Sequence, residues 1–163
     1  MIYVLLTMSL VLLDQVVKYL VRTQIPLNTT VPFLPHIMDL TYVQNTGAAF
    51  SLFEGYTWLL TLISLAVAIA LAVGIRRRIF THPLGLLPLA VVLAGAVGNL
   101  IDRLFFGFVT DMFMTTFISF AVFNVADICV VLGGIAAVAY VYFGYDRFEK
   151  KGETGHDTPA ADR

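Results

Sequence analysis

The chain has 163 residues, 59% of them hydrophobic and 13% charged, with a formal net charge of −1. A water-soluble fold of this length has too little interior for such an apolar excess, so the composition excludes a soluble globule and points to a membrane protein with one core. The near-zero net charge argues against nucleic acid as a partner, and the single cysteine, Cys129, excludes an intrachain disulfide framework and reads as a small apolar residue on a helix.

The first apolar run, over about residues 2–21, is long enough to cross about 30 Å of hydrocarbon at about 1.5 Å per helical residue. It lacks a basic leading segment and carries Asp14 and Lys18 where a cleaved signal peptide would be apolar, so it reads as a retained helix. Asp14 and Lys18 are i,i+4 on one face and read as an ion pair, with Lys18 snorkelling outward. The next stretch, residues 24–56, is too long for a plain linker. Its alternation through Ile37, Asp39, Thr41 and Val43, after Pro26, Pro32 and Pro35, predicts short strands.

Three further spanning helices are expected over about residues 57–75, 83–104 and 123–143. Between the last two, residues 105–122 are strongly apolar but too few to cross a bilayer. They are expected to lie along the membrane surface, with Phe113 and Phe117 dipping into lipid. Residues 1–150 thus read as one membrane domain, and the polar tail over 151–163 is expected to be disordered. Basic residues follow the second run (Arg76, Arg77, Arg78) and the fourth (Arg147, Lys150, Lys151), whereas the first connection carries only Arg22 and the third only Arg103. The positive-inside rule then puts both termini in the cytoplasm and the other two connections outside.

That orientation brings polar side chains from four segments to one level near the outer surface: Asp14 and Lys18, then Asn99, Asp102 and Arg103, then Asp111, then Asn124 and Asp127. Asn99 and Arg103 share a face at i,i+4, and Asp102 lies one residue round from them. The three serve either inter-helix bonding or substrate contact, and Gly95 and Gly98 permit close helix approach. Asp111 is the only ionisable residue between Arg103 and Asp127, and Asp127 stands inside an apolar run. Carboxylates at a membrane boundary are costly, which makes these two a functional-site hypothesis: a hydrogen-bonded interfacial pair, or a general acid and base. His36, His82 and His156 are scattered, so neither a metal site nor a His-based triad is expected, and no cofactor is called for. Lys18 with Ser51 makes only a weak Ser-Lys pairing. The rival readings are a proton-coupled small transporter using Asp14, Asp102 and Asp127, against which stands the lack of acids in the inner half, and a non-catalytic membrane binding protein.

Five stretches carry a resemblance: Asp14-Gln15-Val16-Val17-Lys18, Asn45-Thr46-Gly47-Ala48-Ala49-Phe50-Ser51, Gly98-Asn99-Leu100-Ile101-Asp102-Arg103, Val109-Thr110-Asp111-Met112 and Phe123-Asn124-Val125-Ala126-Asp127. In this order and topology the chain resembles the lipoprotein signal peptidases (signal peptidase II), bacterial membrane aspartic peptidases. The resemblance implies four transmembrane helices with a small extracytoplasmic β-sheet, in the bacterial cytoplasmic membrane. It implies as substrates prolipoproteins whose cysteine carries diacylglycerol, cut just before that cysteine. It implies catalysis by Asp111 and Asp127, substrate contacts from Asn45, Asn99, Arg103 and Asn124, and polar support from Asp14, Lys18 and Asp102. Membrane lipids are the expected surroundings and a monomer the expected state. The family commonly has Val-Val-Asp-Phe where this chain has Val-Thr-Asp-Met.

Overall fold

The computed structural model describes residues 1–47 and 55–149. Expectations that fall elsewhere, on the 151–163 tail, on Ser51 and on the second half of the Asn45–Ser51 motif, lie outside the described residues. Among the described residues four helices are long and apolar enough to cross a membrane: α1 (Ile2–Gln24), α2 (Thr57–Arg76), α3 (Pro83–Phe106) and a fourth that begins as α4 (Val125–Ala139). The fourth continues through a π-helical turn (Tyr140–Gly144) into α5 (Tyr145–Phe148). Three strands, β1 (Thr30–Leu34), β2 (Met38–Asn45) and β3 (Val109–Thr115), form an antiparallel sheet in the order β1-β2-β3.

α3 is the central helix, packed against α1, α2 and α4. Of its most apolar stretch 56% is buried, against 22% or less in the other three spans. It starts with Pro83 at the first helical position, where the missing N–H has no helical partner to lose. It ends at Gly107, whose φ of 77° is a left-handed cap that favours glycine. Small residues make the central position possible. A Cβ on Gly95 would lie 2.3 Å from the Ala126 carbonyl oxygen, and one on Gly98 would lie 2.6 Å from Asp14 Oδ2. The predicted close approach at both glycines is therefore observed.

α1 is built the opposite way from a soluble helix. Its buried residues are Asp14, Lys18 and Val21, at i, i+4 and i+7, while Leu5, Met8, Leu12, Leu13 and Tyr19 face outward. With lipid as the solvent, the polar stripe turns inward. Lys18 accordingly does not snorkel: it is fully buried, because two carboxylates inside the bundle offer its ammonium partners that lipid does not.

The sheet sits on one end of the bundle, where Tyr42 of β2 and Met112 of β3 pack on Val21 of α1. The expectation that residues 105–122 lie along a membrane surface is corrected for residues 105–115. α3 runs on to Phe106, and Val109–Thr115 form β3, whose first four residues are all buried. The two-residue period is hidden because both faces of this strand are covered. Phe113 is half-buried beside the Val21–Tyr42–Met112 core and against Phe123, whereas Phe117 is exposed. Met112 is completely buried in that core.

Candidate active site

Asp111 and Asp127 arrive at one place by different routes. Asp111 is the third residue of β3, opposite Val43 of β2, and this register sets Asn45 diagonally across from it on the same face. Asn45 Nδ2 donates to Asp111 Oδ2 at 2.9 Å. Asp127 stands in the first turn of α4, where Asn124 is the N-cap. The Asn124 side chain accepts the Asp127 N–H at 2.9 Å, and Asp127 Oδ2 accepts the Asn124 N–H at 3.1 Å, a reciprocal capping box.

Asn124 also joins the two acids. Its Nδ2 donates to Asp111 Oδ1 at 2.6 Å. Asn99, from α3, donates through Nδ2 to Asp127 Oδ1 at 2.8 Å. Each of these three asparagines is turned the same way by a donor behind it. Asn45 Oδ1 accepts the Gly47 N–H at 2.9 Å, Asn124 Oδ1 accepts the Asp127 N–H, and Asn99 Oδ1 accepts from Lys18 Nζ at 2.9 Å. The amide nitrogen of each must then face a carboxylate. The family resemblance marks all three as substrate contacts. In the structure their first partners are the aspartates.

Asp111 is 2% exposed. Burial pushes its carboxyl up to about 6, the nearby charge of Asp127 adds to that, and the Asn45 and Asn124 hydrogen bonds pull the other way without prevailing. Both aspartates line a cavity of about 450 Å³ together with Asn45, Asn99 and Arg103. Its far wall is apolar, made by Phe123, Ile128, Val130, Val131 and Leu132. A second cavity of about 420 Å³ shares Asn45, Gly47 and Asp111 and continues over Gln44, Thr46 and Ser119. Sequence reasoning missed the apolar wall. Its signal was present, since Val130 and Val131 follow Asp127 by three and four residues and so share its helix face.

Arg103 reaches Ser64 Oγ at 3.3 Å and the Gly47 carbonyl at 3.5 Å, while its Nε is buried and unpartnered among the described residues. Asp102 turns away from the cavity. It joins Asp14 and Lys18 in a buried cluster in which Lys18 Nζ lies 2.9 Å from Asp14 Oδ2 and 3.5 Å from Asp102 Oδ2. Gln15 ties the two carboxylates together, donating to Asp14 Oδ2 at 3.1 Å and to Asp102 Oδ1 at 3.2 Å. Arg22 lies 3.7 Å from Asp102 and donates to Thr110 Oγ1 at 2.9 Å. Removing one member of such a buried set strands another charge, at a cost of about 3–5 kcal/mol. The set therefore stands or falls as a unit. Gln15, Arg22 and Thr110 were missed by sequence reasoning, although Gln15 and Arg22 stand three residues before and four after Lys18 and so share its helix face; Thr110 gave no such signal.

Known proteins share both the sequence pattern and the fold. Residues 6–143 match the family model described as signal peptidase (SPase) II. The chain is 40% identical over 157 residues to the lipoprotein signal peptidase of Enterococcus faecalis, covering 94% of this chain and 95% of that one. It is 38% identical over 151 residues to the lipoprotein signal peptidase of Clostridioides difficile, covering 93% and 99%. Two solved bacterial membrane enzymes share its fold. One has a TM-score of 0.81 at 24% identity, covering 99% of this chain and 94% of that chain; the other has 0.79 at 27%, covering 87% and 93%.

Proposed function

Because the chain belongs to the signal peptidase II family of aspartic peptidases, we propose that it is a multi-pass membrane endopeptidase that removes signal peptides from diacylglyceryl-modified prolipoproteins, with Asp111 and Asp127 as its catalytic dyad. One observation carries the assignment of the dyad: two carboxylates from separate elements line one cavity and are joined through one residue, Asn124, whose side-chain amide donates to Asp111 and whose backbone N–H donates to Asp127.

Hydrolysis of a peptide bond requires a base to activate water and an acid to assist the carbonyl and the leaving amine. Two neighbouring carboxylates do both, since like charges in a dry site resist double ionisation and the pair keeps one proton. The proton belongs to the pair rather than to a fixed member. Water between Asp111 and Asp127 attacks the scissile carbonyl carbon and gives its proton to the anionic member. The protonated member meanwhile donates to the carbonyl oxygen. Collapse of the tetrahedral intermediate breaks the C–N bond as the proton taken from water passes to the leaving nitrogen, and the proton lent to the carbonyl oxygen returns to its carboxylate, so the pair again holds one proton.

The surroundings suit an apolar, extended substrate. Among the described residues the buried Arg103 Nε has no acceptor, and a substrate carbonyl supplies one. Asn45, Asn99 and Asn124 serve both acids and flank the path of the peptide. The wall from Ile128 to Leu132 receives the hydrophobic signal segment. The cut falls before the lipidated cysteine, whose acyl chains hold it at the bilayer surface. The arginines at 76–78, at the end of the bundle away from the sheet, support cytoplasmic placement of that end and of both termini, with the sheet and dyad near the outer face of the bacterial cytoplasmic membrane. The chain acts as a monomer.

The decisive measurement is cleavage of a diacylglyceryl-modified prolipoprotein by the purified chain and by Asp111→Asn and Asp127→Asn. Each substitution is expected to lower kcat by about 10²–10⁴-fold or more while the protein stays folded. Substantial turnover in either variant defeats the dyad.

A further inference from the structure

The buried cluster beneath the dyad does more than cancel charge. Asp14 Oδ1 accepts the Ala126 N–H at 2.9 Å, and Ala126 is the residue immediately before Asp127. Asp102 Oδ2 accepts the Thr110 N–H at 2.8 Å, and Thr110 is the residue immediately before Asp111. Lys18 lies between these two carboxylates and also donates to Asn99, whose amide meets Asp127. From these contacts we infer that Asp14, Lys18 and Asp102 are positioning residues: they form an ionic gauge that grips the backbone one residue ahead of each dyad member and so sets the gap between the two acids.

The Ala126 N–H is one of the first N–H groups of α4, which have no partner within the helix. A carboxylate on α1, 112 residues away in the chain, takes it. Thr110 N–H belongs to a strand that enters the sheet directly after the α3 cap, and a carboxylate on α3 itself takes it. α4 and β3 otherwise reach the dyad independently. The cluster is the rigid piece that both are measured against, because Asp14, Lys18 and Asp102 are each 0–1% exposed and close-packed. A misplacement of about 1 Å between reacting groups can cost about 10²-fold in rate. Lys18 adds a second function. An ammonium only donates, so Asn99 must present its oxygen to Lys18 and its NH₂ to Asp127.

The inference rests on the dyad reading, and the test separates the two. Lys18→Met combined with Asp14→Asn keeps the cluster electrically balanced, since Asp102 retains Arg22, and leaves an Asn oxygen for the Ala126 N–H. This double variant is expected to fold, with kcat for lipidated prolipoprotein about 10–100-fold below the unmodified chain and KM within about threefold. Lys18→Gln in the same Asp14→Asn background supplies a donor again and can turn Asn99, so it should return at least a third of the lost logarithmic rate. Full kcat with Lys18→Met, a change confined to KM, or equal rates for the two double variants each overturn the proposal. Should the Lys18→Met double variant not fold, Gly98→Ala serves, since its Cβ would press on Asp14 Oδ2 and on Ala126 without removing a charge. The same fall in kcat at constant KM is expected, and unchanged kcat overturns it. Asp127→Asn is measured alongside. Activity there refutes the dyad, whereas a dead Asp127→Asn beside a fully active Lys18→Met double variant refutes the gauge alone.

Discussion

Asp111 and Glu149 are carboxylates at opposite ends of the same bundle, and their surroundings push them in opposite directions. Each accepts several hydrogen bonds: Asp111 from Asn45 and Asn124, Glu149 from the Thr81 hydroxyl and N–H, the Tyr140 hydroxyl and the His82 N–H. Yet Asp111 is pushed up to about 6 and Glu149 pulled down to about 2. Hydrogen bonding favours the anion in both. What differs is burial, which is the largest effect at Asp111 but is outweighed at the half-exposed Glu149 by the Thr81 and Tyr140 hydrogen bonds. Glu149 also sits before the first turn of α3, where the helix dipole favours a negative charge. The far end uses its carboxylate to hold the chain together. The sheet end accepts an energetic penalty to keep an acid close to its proton, as expected of a catalytic site.

The largest effect that would sharpen this contrast comes from Asn124, which serves both the dyad and the start of α4. Asn124→Ala should lower kcat by about 10²-fold or more and remove about 1 kcal/mol of stability through loss of the N-cap. Asn124→Ser restores a capping oxygen but does not reach Asp111, so it should recover most of the melting temperature and little of the rate. If Ser restores the rate as well, Asn124 acts only as a cap. A smaller effect concerns stability. Because the Asp111 carboxyl stands near 6 in the folded chain against an ordinary value of 3.8, the folded state holds its proton more tightly than the unfolded one. Stability therefore falls as pH rises from about 4 to about 6, and above 6 the full penalty, on the order of 3 kcal/mol, is present. Asp111→Asn removes the titration. Its melting temperature in detergent should be at least that of the unmodified chain at pH 7, and the gain that the unmodified chain shows on going to pH 5 should disappear. Parallel melting curves across that range would mean that Asp111 carries no such penalty.

How far the sequence foretold this site depends on what sort of signal each residue gives. Asp111 and Asp127 stood out because a charge in an apolar run is costly and visible. The four spans were legible from run length alone, and their ends moved by only a few residues because helices cap where Gly107 and Asn124 allow. The strand β3 was not legible. Its first four residues are all buried, the polar Thr110 and Asp111 among them, so no apolar-in, polar-out alternation marks it within the Phe-rich stretch around it. Lys18 was misplaced for a related reason. Snorkelling is the default for a lysine near lipid, and only the tertiary arrangement, with Asp102 brought in from another helix, offers a better partner. Asn45, Asn99 and Asn124 were singled out, and the fold sets all three beside the two acids. Which way their amides turn is decided by Gly47, Lys18 and Asp127: the first and last are local contacts at i+2 and i+3, whereas the Lys18 bond to Asn99 is tertiary and no spacing rule reveals it.

The smallest effect is expected at Glu149. Its carboxylate joins the end of the fourth helix to the turn before α3, while the His82 ring stacks on Phe148 at 4.4 Å. A carboxyl held below its ordinary value stabilises the fold above that value, and the contribution is lost as pH falls from about 4.5 toward about 2. Glu149→Gln should thus lower the melting temperature slightly at neutral pH, with the difference fading in acid, the reverse of the trend at Asp111. Its surface position keeps the effect small, since water screens both the charge and the hydrogen bonds. Turnover of lipidated substrate should stay within about twofold, because α3 spans the whole bundle and its sheet-side end is fixed separately, by the packing of Gly95 and Gly98 on α4 and α1. A tenfold loss of rate in Glu149→Gln would show that the two ends are mechanically coupled through α3, and that the division of labour between them does not hold.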